Sequence, residues 1–176
     1  MPKIIENINE KILQEGRKIL LSKNYRELNI RDIVKNCNIG IGTFYNYFSS
    51  KEELVINIFK EDWENSLLLI NKLKFSFTPL KDKLYKIYLC LEEFLDKYIS
   101  IFYEIAMLNG YSHNSSHNFN DINKEVSELI DFERKRGNIS SSLSSIKIAN
   151  LIVSNFVYLS KNKYMTFDEL YGCLKL

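Results

Sequence analysis

Thr43, Tyr45, Asn46 and Tyr47 fall within the six-residue run Thr43-Phe44-Tyr45-Asn46-Tyr47-Phe48. At helical spacing Phe44 and Phe48, four apart, share a face and should turn inward with Ile33 and Ile39. The four polar or amphipathic residues then project outward. Tyr45 and Tyr47 can give hydroxyls to phosphates, or lay their rings against sugars and thymine methyl groups. Asn46 can read adenine bidentately, the plain alternative being a solvated amide. Gly42 lets the backbone approach a duplex closely. Lys51, at a helix N-terminus, adds its charge to free backbone N–H groups and suits a phosphate. This is the chemistry of holding a nucleic acid, not of breaking a bond.

The elements that must position these side chains are written around them. Asn29 can cap a short helix by accepting from the N–H near Asp32, with Asp32 reaching back. Ile30, Ile33 and Val34 face inward, and Cys37-Asn38-Ile39-Gly40 turns the chain into a second helix, Ile41 to Phe48. Ser50-Lys51-Glu52-Glu53 is a capping box that starts a third helix at Lys51. Residues 29–54 thus have the layout of a helix-turn-helix whose second helix is offered to DNA. Upstream, a helix from about Ile4 to Lys23 carries the stripe Ile5, Ile8, Ile12, Ile19 and Leu20. Asn24 is suited to a left-handed exit. Gly16, mid-helix, costs about 1 kcal/mol relative to Ala, which a close helix–helix approach would explain as well as a flexible spot would.

Helical periodicity continues to the C-terminus, and no alternating run reads as a strand. The helix from Lys51 runs to about Lys74, with Leu54, Ile58, Trp63, Leu67, Ile70 and Leu73 for burial. Thr78-Pro79 opens residues 80–109, which read as two helices with a break near Lys97 to Ser100. Residues 110–118 are a polar loop. Asn120 caps a helix through Arg136, closed by Gly137. Ile146 to Ser160 forms another, and Thr166-Phe-Asp-Glu169 caps a short last one. The expectation is an all-α protein of about nine helices, with a DNA-binding domain at 1–50 and a helical effector-binding and dimerisation domain at 51–176.

Composition agrees. The 176 residues are 45% hydrophobic and 26% charged, as in a soluble globular protein. No apolar run approaches the roughly 20 residues that span a bilayer, and no signal peptide is visible. Three cysteines, at 37, 90 and 173, lack metal-ligand spacing and suit a reducing cytoplasm. The formal charge of +2 is unevenly placed: residues 1–60 hold ten Lys/Arg against seven Asp/Glu, the rest fourteen against fifteen. The basic excess sits with the candidate DNA-binding segment, although it is mild.

Gly42-Thr-Phe-Tyr, the aromatic pair ending in Phe48, and Ser50-Lys-Glu-Glu-Leu54 together resemble the TetR family of bacterial transcriptional regulators. The resemblance covers residues 5–60 closely and the rest as helix count and order. It implies an all-α homodimer in which a ligand in the C-terminal domain changes the spacing of two recognition helices and releases DNA. Arg31 matches a family position that can reach a base edge, and Arg to guanine is the commonest specific contact. With Asn29 and Ile41, the implied DNA-binding set is Asn29, Arg31, Ile41, Gly42, Thr43, Tyr45, Asn46, Tyr47 and Lys51. Three places depart from the family pattern: Asn24 for a common Gly, Cys37-Asn38 for Ala-Gly, and Gly40 for a Ser or Thr cap. Gly is itself an acceptable cap.

For an effector, the candidate walls are Trp63, Phe94, Tyr98, Phe102, Tyr103, Met107, Phe132 and Phe156, although aromatic residues at helical spacing more often build plain core. They suit an apolar or aromatic small molecule. The last two helices would form the dimer interface through Ile146, Ala149, Ile152, Val153 and Phe156, with Phe167, Leu170, Tyr171 and Leu174. His113 and His117 are four apart but have no third ligand nearby, so no metal or other cofactor is expected. Without a nucleophile–base arrangement, phosphate loop or carboxylate pair, no enzyme is expected either. The reading is a repressor acting on a palindromic duplex operator. The alternative is a protein of the same fold working mainly through another protein, with altered DNA binding.

Overall fold

The structure, a computed structural model, describes residues 7–109 and 120–176. Among the described residues there are eight helices and no strand. They are α1 (Ile8–Ser22), α2 (Ile30–Cys37), α3 (Ile41–Tyr45), α4 (Lys51–Phe75), α5 (Leu80–Asn109), α6 (Asn120–Lys135), α7 (Ser145–Asn162) and α8 (Phe167–Leu174). The expected start of the first helix at Ile4, with Ile5, lies outside the described residues, as do the polar loop and both histidines.

The count falls below nine because residues 80–109 are one helix. Lys97-Tyr98-Ile99-Ser100 contains neither Gly nor Pro to interrupt it, and burial of Tyr98 and Ile101 holds the turn in register.

The chain forms two compact units. One comprises Met1–Asp62 with Lys97–Ser112, the other Trp63–Asp96 with His113–Leu176. Helices α4 and α5 each pass from one unit into the other without interruption.

In the first unit α1, α2, α3 and the start of α4 bury Ile12, Ile19, Leu20, Ile33, Phe44, Phe48, Leu54 and Ile58. Gly16 is explained by close approach: a Cβ there would lie 2.9 Å from Leu54 Cδ2 and 3.2 Å from Ile58 Cδ1. Asn24 does not take the left-handed exit. It instead caps the following turn, accepting from the Glu27 N–H at 2.9 Å.

The second unit has a continuous core from α4, α5, α6, α7 and α8, including Leu84, Leu91, Leu129, Ile152 and Phe156. Gly137, at φ 80°, ends α6. The Asn138 N–H reaches the Glu133 carbonyl and the Gly137 N–H the Arg134 carbonyl, both at 3.0 Å, which satisfies two otherwise orphaned acceptors. Buried inside is an ion pair. Lys83 Nζ donates to Glu133 at 2.7 Å, and to the carbonyls of Ser76 at 2.8 Å and Lys74 at 3.2 Å. Burial opposes the Glu133 charge, but Lys83 and Asn138 outweigh it and hold the carboxyl below its usual range.

Candidate nucleic-acid interface

The cap of α2 sets the angle of Arg31. Asn29 is extended, and its side chain accepts from the Arg31 N–H at 2.9 Å, one residue earlier than Asp32. Arg31 itself points out, exposed on the first turn. The chain leaves α2 through Asn38 at φ 55°, ψ 47°. This is the left-handed position that favours Gly and that Asn tolerates better than most residues. The departure from Ala-Gly is thus accommodated at the residue where it matters.

Gly40 caps α3 with its backbone alone. The helix proper ends at Tyr45, short of the expected Phe48, and the chain continues in tight turns, Tyr47 N–H to Phe44 O at 2.9 Å and Phe48 N–H to Phe44 O at 3.0 Å. The facing is nevertheless as the spacing predicts. Phe44 and Phe48 are buried at 0% and 4%, their rings 5.8 Å apart. Ile41, Tyr45 and Tyr47 are 48%, 52% and 44% exposed. Gly42 and Asn46 are exposed beside them, with Thr43 half-buried. A Cβ at Gly42 would meet nothing within 4 Å, so the fold itself does not require glycine there.

Lys51 is partly engaged. Its Nζ donates to the Tyr25 carbonyl at 2.9 Å and stands 4.1 Å from the centre of the Tyr25 ring. That uses one of three N–H donors and adds a cation–π contact. The cap beneath it is a variant box. Ser50 Oγ accepts from the Glu53 N–H at 3.1 Å, while the Glu53 carboxylate accepts from the N–H and hydroxyl of Ser49, both at 2.6 Å. Those bonds from Ser49 hold the Glu53 carboxyl below its ordinary value. Tyr25, almost fully buried, is a partner of the site that sequence patterning misses, because nothing local marks its carbonyl as an acceptor.

The candidate effector walls divide between the units. Trp63 and Phe94 form a ring pair at 4.9 Å in the second unit. Phe132 packs instead on Phe75 at 5.6 Å, with the Arg136 guanidinium 4.8 Å from its ring. Phe156 is wholly buried against Tyr88 and Phe167. In the first unit Tyr98 and Phe102 enclose Phe59, whereas Tyr103 and Met107 are 61% and 76% exposed.

The residues expected at the dimer interface divide by their facing. Ala149, Ile152, Val153, Phe156, Phe167 and Leu170 are turned into the core of their own unit. Ile146 is exposed, while Tyr171 and Leu174 are half-buried. The outward face of α7 carries Leu151 and Tyr158, 45% and 58% exposed. Among the described residues no group of three or more His, Cys, Asp or Glu could hold a metal ion, and no helix is long and apolar enough to cross a membrane.

Residues 12–58 match the model of the bacterial regulatory proteins, tetR family. The chain is 35% identical over 77 residues to the HTH-type dhaKLM operon transcriptional activator DhaS of Lactococcus lactis subsp. lactis. That match covers 36% of this chain and 41% of the relative, so the chain spans less than half of the relative's length. In fold, it resembles Salmonella enterica GusR with a TM-score of 0.72 at 18% identity, covering 98% of this chain and 96% of that one. It also resembles the transcriptional regulator FadR from Bacillus subtilis, solved with stearoyl-CoA, with a TM-score of 0.58 at 15% identity and coverage of 94% and 95%. The helix-turn-helix with its buried Phe44 and Phe48 is thus a DNA-binding domain of the tetR family of bacterial regulatory proteins over residues 12–58, and the fold of the chain is similar to that of such regulators.

Proposed function

We propose that this chain is a DNA-binding transcriptional repressor. It acts in the cytoplasm as a homodimer on a palindromic duplex operator, and a small-molecule effector releases it. The observation that carries the reading is the outward surface of α3. Ile41, Tyr45 and Tyr47 stay exposed on α3 and the turn that follows it, pinned from beneath by Phe44 and Phe48, an arrangement that costs apolar exposure unless a partner covers it. Tyr45 and Tyr47 supply phosphate and sugar contacts, Arg31 a base edge, and Lys51 a phosphate. Residues 1–50 are the reading head and 51–176 the sensing and dimerising part.

The effector reading is supported by the Trp63–Phe94 pair, which suits an apolar or aromatic molecule. The dimer reading rests on the outward α7 residues Leu151 and Tyr158, with Ile146, and on Tyr171 and Leu174 of α8.

Selection of bound duplexes from a random library, repeated with apolar aromatic ligands present, tests this. The expected result is a palindrome with half-sites about one helical turn or more apart, lost when an effector binds. Enrichment of no sequence at all would favour a role through protein partners instead.

A further inference from the structure

The last part of α5 belongs to the same compact unit as the reading head and grips it through its own side chains. The Tyr98 hydroxyl donates to Asp62, which also pairs with Arg17 of α1 at 3.0 Å. Burial, then the Asp62 acceptor, raises the Tyr98 phenol above its ordinary value, so it stays a donor. Phe102 packs edge-on against Phe59 with ring centres 4.5 Å apart. Further along, the Glu104 carboxylate accepts from the backbone N–H of Tyr25 at 3.1 Å.

That last bond joins residues 79 apart in sequence, and it lands on a residue that holds Lys51. Tyr25 lies in the non-helical link between α1 and α2, so no helix supplies its N–H with an acceptor. At 2% exposure, water gives little substitute. Its carbonyl accepts from Lys51 and from the Leu28 N–H at 3.3 Å, and its ring lies beneath the Lys51 ammonium. Whatever fixes the Tyr25 backbone therefore fixes the direction of the Lys51 charge. A carboxylate accepting from an N–H is among the stronger ways to do so.

We infer that Glu104 is a positioning residue for DNA binding. By holding the Tyr25 N–H it locks the carbonyl and ring that aim Lys51 at a phosphate. This rests on the phosphate role assigned to Lys51. Because Glu104 lies on α5, the contact reaches Lys51 from outside the helix-turn-helix. A short relay, Glu104 to Tyr25 to Lys51, thereby adjusts affinity while leaving the base-reading residues as they are.

The test is the salt dependence of binding to the selected operator. Each phosphate contact contributes about one unit to the slope of log affinity against log salt. Lys51→Met should lower the slope by about that amount per subunit. Glu104→Ala should do the same, as should Glu104→Asp, which keeps the charge but shortens its reach and carries the test if the alanine variant fails to fold. Glu104→Gln keeps an acceptor of the same length and should retain the full slope. In the Lys51→Met background, Glu104→Asp should lower the slope no further. A full slope in both Glu104→Ala and Glu104→Asp, or an equal drop with Lys51 already absent, would overturn the relay alone. An unchanged slope in Lys51→Met would overturn the phosphate role and the relay together, and failure of the wild type to bind any duplex would overturn the functional reading as well.

Discussion

Gly16 of α1 and Leu54 of α4 meet so closely that a single methyl on Gly16 would come within 2.9 Å of Leu54 Cδ2. Leu54 is completely buried, so it has little room to withdraw. Replacing a mid-helix Gly with Ala ordinarily gains about 1 kcal/mol, while overpacking a core costs about 1–3 kcal/mol. Packing wins here: Gly16→Ala should destabilise by about 1 kcal/mol, and Gly16→Val by more, in urea denaturation.

Gly42 should behave in the opposite way. Nothing lies within 4 Å of its missing Cβ, and it sits inside α3. Gly42→Ala should leave the melting temperature unchanged or raise it, through about 0.5–1 kcal/mol of helix propensity. Operator affinity should nevertheless fall, because the methyl stands between the backbone and the duplex. Calorimetry and a binding titration on one preparation separate the two effects.

The reading head was legible because its signals are local. Phe44 and Phe48 at i, i+4, the Ser50–Glu53 cap and the turn through Asn38 each declare themselves within a few residues, and all three appear in the structure. The facing of α7 was not legible. Ile146, Ile148, Ala149, Leu151, Ile152, Val153, Phe156, Val157 and Tyr158 make the helix apolar nearly all round. Periodicity cannot say which stripe serves the chain's own core and which is left over. The long-range partners Tyr25 and Glu104 leave no mark on local sequence at all.

The leftover stripe gives a prediction about assembly. Leu151→Glu with Tyr158→Glu should convert the protein to monomers in sedimentation while leaving its helical content intact, because both residues face outward. Ile152→Glu, at a site with no exposure, should unfold it instead, since an unpaired buried charge is strongly destabilising. A dimer that survives the double variant would place the interface elsewhere.

Lys83 and Glu133 are 0% and 1% exposed and depend on each other. Lys83→Met should cost about 3 kcal/mol, because it leaves the buried Glu133 carboxylate only Asn138 at 2.6 Å and the Arg136 guanidinium at 3.8 Å. Acid should expose the same dependence. The Glu133 carboxyl is held below its ordinary value in the folded chain, so the unfolded chain takes up the proton more readily. The stabilisation is fully present above the unfolded value of about 4.3 and fades as pH falls through the lower folded value. Urea midpoints measured from pH 7 downward should hold to about pH 5 and drop below it, and the Glu133 share of that drop should disappear in Lys83→Met/Glu133→Leu.

In the proposed function, Arg31 and the exposed face of α3 read DNA while Lys51 secures the backbone. Affinities of the wild type and of Arg31→Ala, Tyr45→Ala and Lys51→Ala for every single-base variant of the selected operator test it most directly. Arg31→Ala should lose about 1–3 kcal/mol of discrimination at one position in each half-site. Tyr45→Ala and Lys51→Ala should weaken binding to all variants alike. Operator binding equal to the wild type by all three would mean that these residues do not contact the operator.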